Sequence, residues 1–135
     1  MARQPRWLGL LRLGTEPASP PPPPPDIDWL YPWVPLDDPE HRAVFNAQLR
    51  AEIGPEHVLR RRKTAAIARV DGLDDMLFLL DGGEVAQVHL TFAKQMERDP
   101  RWPRTAIFPS LEAWSEAVMR PDHHDWTIDG GDIPV

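Results

Sequence analysis

The chain has 135 residues, of which 41% are hydrophobic and 27% charged, with a formal net charge of −6 at pH 7, 17 prolines and no cysteine. One domain of ordinary size accounts for this length, which excludes a two-domain enzyme. The lack of cysteine excludes a disulfide framework, a thiol nucleophile and a thiolate metal site. The negative charge argues against a nucleic-acid partner, because phosphate affinity comes mainly from Lys and Arg, and it favours a basic protein partner.

Proline marks the first part of the chain. Eight of the 17 prolines lie in residues 1–25, six of them consecutive at Pro20–Pro25. Such a run favours polyproline II and predicts a semi-rigid spacer. We therefore predict a disordered tail with a polyproline linker over residues 1–25, one domain over residues 26–126 and a flexible acidic tail over residues 127–135.

The tail contains a short apolar stretch with Trp7, Leu10 and Leu11. It is too short, and too interrupted by Arg12, for a secretory signal or a membrane span. We expect no membrane association and a cytoplasmic protein. The stretch is either part of a solvated tail or a short peptide that docks on a partner, and the sequence leaves both interpretations open.

The domain begins with a proline-interrupted aromatic segment, residues 27–36, which predicts an extended cover over the core. Asp38 then serves as an N-cap, Pro39 as the first helical residue, and apolar residues recur at a spacing of four. This pattern predicts a helix from Pro39 to Ile53. The recurring residues are Phe45, Leu49 and Ile53.

Three apolar runs predict strands over residues 64–70, 76–80 and 85–92. Gly82 and Gly83 separate the last two runs and predict a type I′ hairpin turn, because glycine accepts positive φ. Residues 105–108 could add a short fourth strand, and Ser110 caps a second helix that should end at Arg120 and Pro121. The predicted fold class is α+β: an N-terminal helix, a three-stranded antiparallel meander with this optional fourth strand, and a C-terminal helix.

Alternation in the last strand predicts one core face and one polar face for the sheet. The polar face would carry Gln87, His89 and Thr91. Histidine titrates near neutral pH, so His89 is the one weak catalytic candidate. A general base also needs an orienting acid, and the sequence singles none out. A structural or an interface role for His89 therefore stays open, and we lean away from an enzyme.

The remaining polar clusters predict no cofactor and no metal. The adjacent residues 122–125, Asp-His-His-Asp, would point in alternate directions on an extended chain. The basic run Arg60–Lys63 is interpreted as a strand entry paired with neighbouring acids. Trp102, beside Arg101 in a polar loop, either packs on the core or anchors a partner, since Trp and Arg are enriched at binding hot spots.

Residues 74–114 resemble a group of short, mostly uncharacterised bacterial proteins. The resemblance rests on Val88-His89-Leu90-Thr91-Phe92, on Trp102-Pro103 in a W-P-x-T motif, and on an F-x-S-x-x-x-W motif that ends at Trp114. The group has no settled activity, so the resemblance implies no catalytic residues. Only the general character of the chain, a small acidic single domain, is similar to that of immunity proteins and antitoxins.

Three functional hypotheses result. The first is a non-enzymatic protein-binding module, an immunity or antitoxin-like protein or a small accessory subunit, that uses the polar face and the Trp102 loop. The second is a small enzyme or ligand-binding protein centred on His89. The third is an adaptor tethered through residues 7–13. The oligomeric state is open.

Overall fold

A computed structural model describes residues 25–128. The predictions for residues 1–24, including Trp7, Leu10 and Leu11, and for residues 129–135 lie outside the described residues. In chain order the elements are strand β1 (Trp33–Pro35), helix α1 (Pro39–Glu52), strands β2 (Thr64–Val70), β3 (Asp75–Leu80), β4 (Val85–His89) and β5 (Thr105–Phe108), and a last helix composed of α2 (Leu111–Trp114), a π-helical turn (Ser115–Met119) and α3 (Arg120–Ile128).

The strands form one antiparallel sheet in the order β1-β2-β3-β4-β5. The predicted α+β class with an N-terminal and a C-terminal helix is confirmed, but the three-stranded meander is wrong: over residues 25–128 the sheet has five strands. The optional strand is β5, which pairs with β4. The unforeseen strand is β1, whose Trp33 lies opposite Val70 and Pro35 opposite Ala68. Proline is compatible with this position because β1 is at an edge of the sheet, where a missing N–H breaks no second ladder.

Both faces of the sheet are covered, so the expected polar face is wrong. Helix α1 packs Leu49 and Ile53 on one face, against Phe78 of β3 among others. The last helix packs Trp114 and Met119 on the opposite face. Each such side chain, when fully buried, contributes roughly 1.5–3 kcal/mol relative to exposure, which makes a three-layer arrangement more favourable than an open sheet.

The α1 prediction is confirmed within one residue. The Asp38 carboxylate accepts a hydrogen bond from the Glu40 N–H at 2.9 Å, as an N-cap should. The hairpin between β3 and β4 is also present, but its predicted type I′ turn is wrong. Of the two glycines only Gly83 has positive φ, at 91°, and its N–H donates to Leu80. This geometry is a three-residue loop, in which a type I turn precedes one left-handed residue.

The last helix does not end at Pro121. A proline inside an α-helix removes an i→i−4 hydrogen bond, and here a π-helical turn, Ser115–Met119, lies directly before it. The helix then continues to Ile128 because α3 is attached to the segment around β1. Asp122 accepts a hydrogen bond from the Trp33 indole at 2.9 Å, and His123 Nδ1 lies 2.7 Å from a carbonyl oxygen.

Candidate functional site

The loop between β4 and β5, residues 90–104, is held at its start by Glu52 in the last turn of α1. The side chain of Glu52 is fully buried. Its Oε1 accepts hydrogen bonds from the Thr91 N–H at 2.8 Å and the Thr91 hydroxyl at 2.9 Å, and its Oε2 accepts from the Phe92 N–H at 2.8 Å and the Gln48 amide at 2.7 Å. The Glu52 carbonyl oxygen also accepts from the Glu97 N–H at 2.9 Å. This network compensates the burial of a carboxylate, which is costly without donors.

The same network explains why β4 ends at His89 and not at residue 92. The amides of Thr91 and Phe92 turn to Glu52 instead of continuing the ladder with β3. Phe92 adopts a left-handed conformation, φ 55°, which is uncommon for an aromatic residue and reverses the chain here. Thr91 therefore faces α1, and the three predicted polar residues do not share one surface.

His57 holds the other end of the loop. This buried imidazole accepts a hydrogen bond from the Leu59 N–H through Nδ1, at 3.0 Å, which assigns the proton to Nε2. Nε2 then donates to the Pro103 carbonyl at 3.0 Å, and the Thr105 hydroxyl donates to that carbonyl at 2.9 Å. The W-P-x-T motif thus supplies both groups that meet His57.

A close approach at Gly54 fixes the middle of the loop. A Cβ at Gly54 would lie 2.3 Å from the carbonyl oxygen of Glu97. We expect Gly54→Ala to lower the free energy of unfolding by about 2 kcal/mol, because backbone must shift to relieve the overlap. Urea denaturation measures the loss. The matched control is Gly82→Ala, whose Cβ would meet only the ends of two side chains, the Glu84 carboxylate at 3.4 Å and the Arg62 guanidinium at 3.7 Å, and should change stability by less than about 0.5 kcal/mol. Equal losses in the two variants would contradict the argument.

With both ends held, the loop exposes large apolar side chains. Phe92 is 46% exposed, Met96 48% and Trp102 38%. The sequence left open whether Trp102 packs on the core or faces outward; its side chain belongs to neither hydrophobic core cluster and is partly exposed. The guanidinium of Arg104 lies 5.4 Å from the centre of its ring, within cation–π range.

Arg101, the second predicted partner-binding residue of this loop, forms an ion pair with Asp99. Its guanidinium donates to both carboxylate oxygens, with the shortest distance 2.7 Å, and its backbone N–H donates to the same carboxylate at 2.9 Å. These hydrogen bonds lower the pKa of Asp99 to about 2, so the pair stays ionised at physiological pH. The pair orders the turn that precedes Trp102.

His89 has the orienting acid that the sequence did not single out. Its Nδ1 lies 2.5 Å from Oδ1 of Asp75, which faces it across the β3–β4 ladder. The Trp114 indole donates to the Gln87 amide oxygen at 2.9 Å, and the Gln87 amide nitrogen donates to Asp75 Oδ2 at 3.4 Å. A carboxylate at Nδ1 leaves Nε2 as the outward nitrogen, the arrangement of a general base. The His89 side chain is 55% exposed, however, so water surrounds it.

The structure therefore separates the predicted residues into two groups. Gln87 and His89 lie together on the face next to Trp114, whereas Trp102 and Arg101 lie on the loop. Sequence reasoning missed Glu52 and His57. One signal for Glu52 was present: a carboxylate in the last turn of a helix opposes the helix dipole and needs donors from elsewhere.

The basic run Arg60–Lys63 is partly engaged, as the sequence interpretation expected. Arg62 lies 2.8 Å from Asp81 and also contacts Glu84 at the β3–β4 turn. Arg50 of α1 donates to three carbonyl oxygens of this stretch, those of Leu59, Arg60 and Arg62. Through these contacts Arg50 attaches this stretch to α1, and Arg62 attaches it to the β3–β4 turn, which is a structural role.

Comparison with models of protein families, with curated proteins and with solved structures yields no match. Over residues 25–128, no helix is long and apolar enough to cross a membrane. Within that same range, no three or more His, Asp or Glu side chains cluster in a way that could hold a metal ion.

Proposed function

We propose that this protein is a non-enzymatic protein-binding module, such as a bacterial immunity or antitoxin-like protein or a small accessory subunit, and that the β4–β5 loop carries its binding surface. The observation that supports this proposal is the combination of exposed apolar side chains with two buried anchors. Binding costs less when the recognising loop is ordered beforehand. Glu52 and His57 supply that order, and Trp102 supplies an aromatic anchor.

Charge on the loop reverses the charge proposed for the partner. The expectation of a basic partner rests on the net charge of the whole chain. The loop itself carries four basic residues against two acidic ones, with Asp99 already paired to Arg101. We therefore propose a cytoplasmic protein partner that presents acidic and apolar groups to the loop. The basic residues are Lys94, Arg98, Arg101 and Arg104, and the acidic ones Glu97 and Asp99.

The test compares capture by the wild type with capture by Trp102→Ala, using lysate of the source organism and quantitative mass spectrometry. A partner that depends on the loop should be retained by the wild type and lost by the variant. Once purified, that partner should bind Trp102→Ala about 30-fold more weakly, the effect of losing an anchor worth about 2 kcal/mol.

The matched control for this comparison is Ile128→Ala. Ile128 is an equally apolar but more exposed side chain, at 65%, and it belongs to α3 and not to the loop. We expect the control to bind as the wild type does. If every captured protein is retained equally by Trp102→Ala, the β4–β5 loop is not the binding surface and the proposal is wrong.

A second candidate function, a small enzyme or ligand-binding protein centred on His89, is favoured by one observation, the hydrogen bond to Asp75. The variant His89→Gln, tested in the same capture and binding experiments, distinguishes the two functions. A binding module should keep its partner within about three-fold, because His89 lies outside the loop. If His89→Gln abolished the cellular function of the protein and Trp102→Ala did not, the second candidate would be favoured. The third hypothesis, tethering through residues 7–13, concerns residues that the structure does not describe.

A further inference from the structure

A cleft of about 1020 Å³ lies along one flank of α1, between the helix, β1 and the start of the β4–β5 loop. Its volume is at the upper end of the roughly 300–1,000 Å³ that is usual for ligand sites. Along α1 its lining extends from residue 41 to residue 51, which at about 1.5 Å per residue gives a groove roughly 15 Å long. The walls are mainly apolar, formed by Val34, Pro35, Val44, Phe45, Ala51 and Phe92.

We propose that the segment Trp7–Leu13 of this same chain occupies the cleft. The sequence of this segment is Trp-Leu-Gly-Leu-Leu-Arg-Leu. It offers one tryptophan and four leucines, side chains that gain most from leaving water. The proposal goes beyond the proposed function, which rests on the β4–β5 loop.

Charge at one end of the cleft is complementary to the segment. Asp37 and Asp38 line the cleft at the start of α1, and both are exposed. Arg6 directly precedes the apolar segment and Arg12 lies within it. Pairs of opposite charge at the rim of an apolar contact fix orientation more than they add affinity.

Two basic side chains of the lining already face carboxylates. Arg69 lies 3.6 Å from Asp71, and His41 lies 3.7 Å from Asp38. Lys94 lines the cleft two residues after Phe92, whose N–H is bonded to the last turn of α1. The lysine therefore lies away from the two aspartates. Asp38 also caps α1 and Asp37 also attracts the Arg42 guanidinium, so a basic segment shares these carboxylates with the start of the helix.

The chain between segment and domain is long enough. Residues 14–24 can span up to about 36 Å when extended. Pro25 precedes Val34 of the cleft by nine residues and so lies at most about 30 Å from it. Short flexible linkers give effective concentrations of the order of 1 mM, and with a predicted semi-rigid run such as Pro20–Pro25 the value depends on the direction of that run. An intrinsic dissociation constant ten-fold below the effective concentration gives about 90% occupancy.

The experiment is limited trypsin digestion of the full chain, with cleavage after Arg6 and Arg12 followed by intact-mass spectrometry. Ala51→Arg places a long charged side chain in the cleft at an exposed helical position, where arginine is well tolerated. Release of a segment that is about 90% docked should accelerate these cleavages about ten-fold. The control is Ala43→Arg on the same helix, which lies outside the lining and should be cleaved as the wild type is.

A second variant provides the test if Ala51→Arg unfolds, which circular dichroism would reveal. Leu11→Asp alters the segment and not the folded domain, and it should accelerate cleavage after Arg6 and Arg12 to the same degree. Equal cleavage rates in the wild type and in a folded Ala51→Arg or Leu11→Asp would overturn the proposal. Protection that disappears on dilution would overturn it as well, because the occupant would then be a second copy of the chain.

Discussion

Replacing Glu52 by alanine is expected to lower the free energy of unfolding by about 4 kcal/mol. The substitution removes the acceptor for four hydrogen bonds at a fully buried position, and each donor left without a partner costs about 1–3 kcal/mol before water enters. In a chain of this size the change corresponds to a decrease in melting temperature of roughly 15 °C. Urea denaturation and calorimetry measure both quantities.

Glu52→Gln tests the role of the individual oxygens. An amide keeps the shape and one acceptor oxygen, but its NH₂ group would face donors. If it replaces Oε2, it meets the Phe92 N–H and the Gln48 amide, which are donors themselves. We therefore expect an intermediate loss of about 2 kcal/mol.

Glu56→Ala is the matched control for both variants. Glu56 is an exposed glutamate four residues further along the chain, and its removal should change stability by less than about 0.5 kcal/mol. The proposed role of Glu52 would be contradicted if Glu52→Ala and Glu56→Ala unfolded at the same urea concentration.

Local sequence was sufficient for the elements that depend on local interactions. Helix α1 has its own N-cap in Asp38, and the β3–β4 hairpin has a glycine where positive φ is needed. Strand β1 and helix α3 depend on each other across the chain. Trp33 donates to Asp122, 89 residues away, and no local pattern around either residue encodes that contact. Each element contains a proline, Pro35 in β1 and Pro121 in α3, which argued against regular structure, and the long-range packing prevailed.

The same distinction explains which parts of the candidate site were predictable. Trp102 stands out because a tryptophan between an arginine and a proline in a polar loop is unusual by itself. Its support does not stand out, because Glu52 and His57 lie about 40 or more residues away from the groups they hold. For His89, the strand register that pairs it with Asp75 had to be known before the acid could be chosen among many.

His57 should prove to be the second most sensitive position. His57→Leu leaves the Leu59 N–H without its acceptor and the Pro103 carbonyl without one of its donors, at a buried position where the imidazole bridges the two. We expect a loss of about 3 kcal/mol in the free energy of unfolding. The amides of residues 98–104 should also exchange faster with deuterium than those of β3, because the end of the loop is released while the sheet remains.

The exposed histidine of α3 provides the comparison for His57. His124→Leu removes an imidazole from the surface and should leave both stability and loop exchange unchanged, within about 0.5 kcal/mol for the former. Global loss of stability alone would accelerate exchange throughout the sheet to a similar extent. Acceleration confined to the loop would therefore identify His57 as its anchor, and uniform acceleration would reduce His57 to a general core residue. In the first case His57→Leu should also weaken binding of the partner captured through Trp102, although His57 itself is buried and contacts no partner.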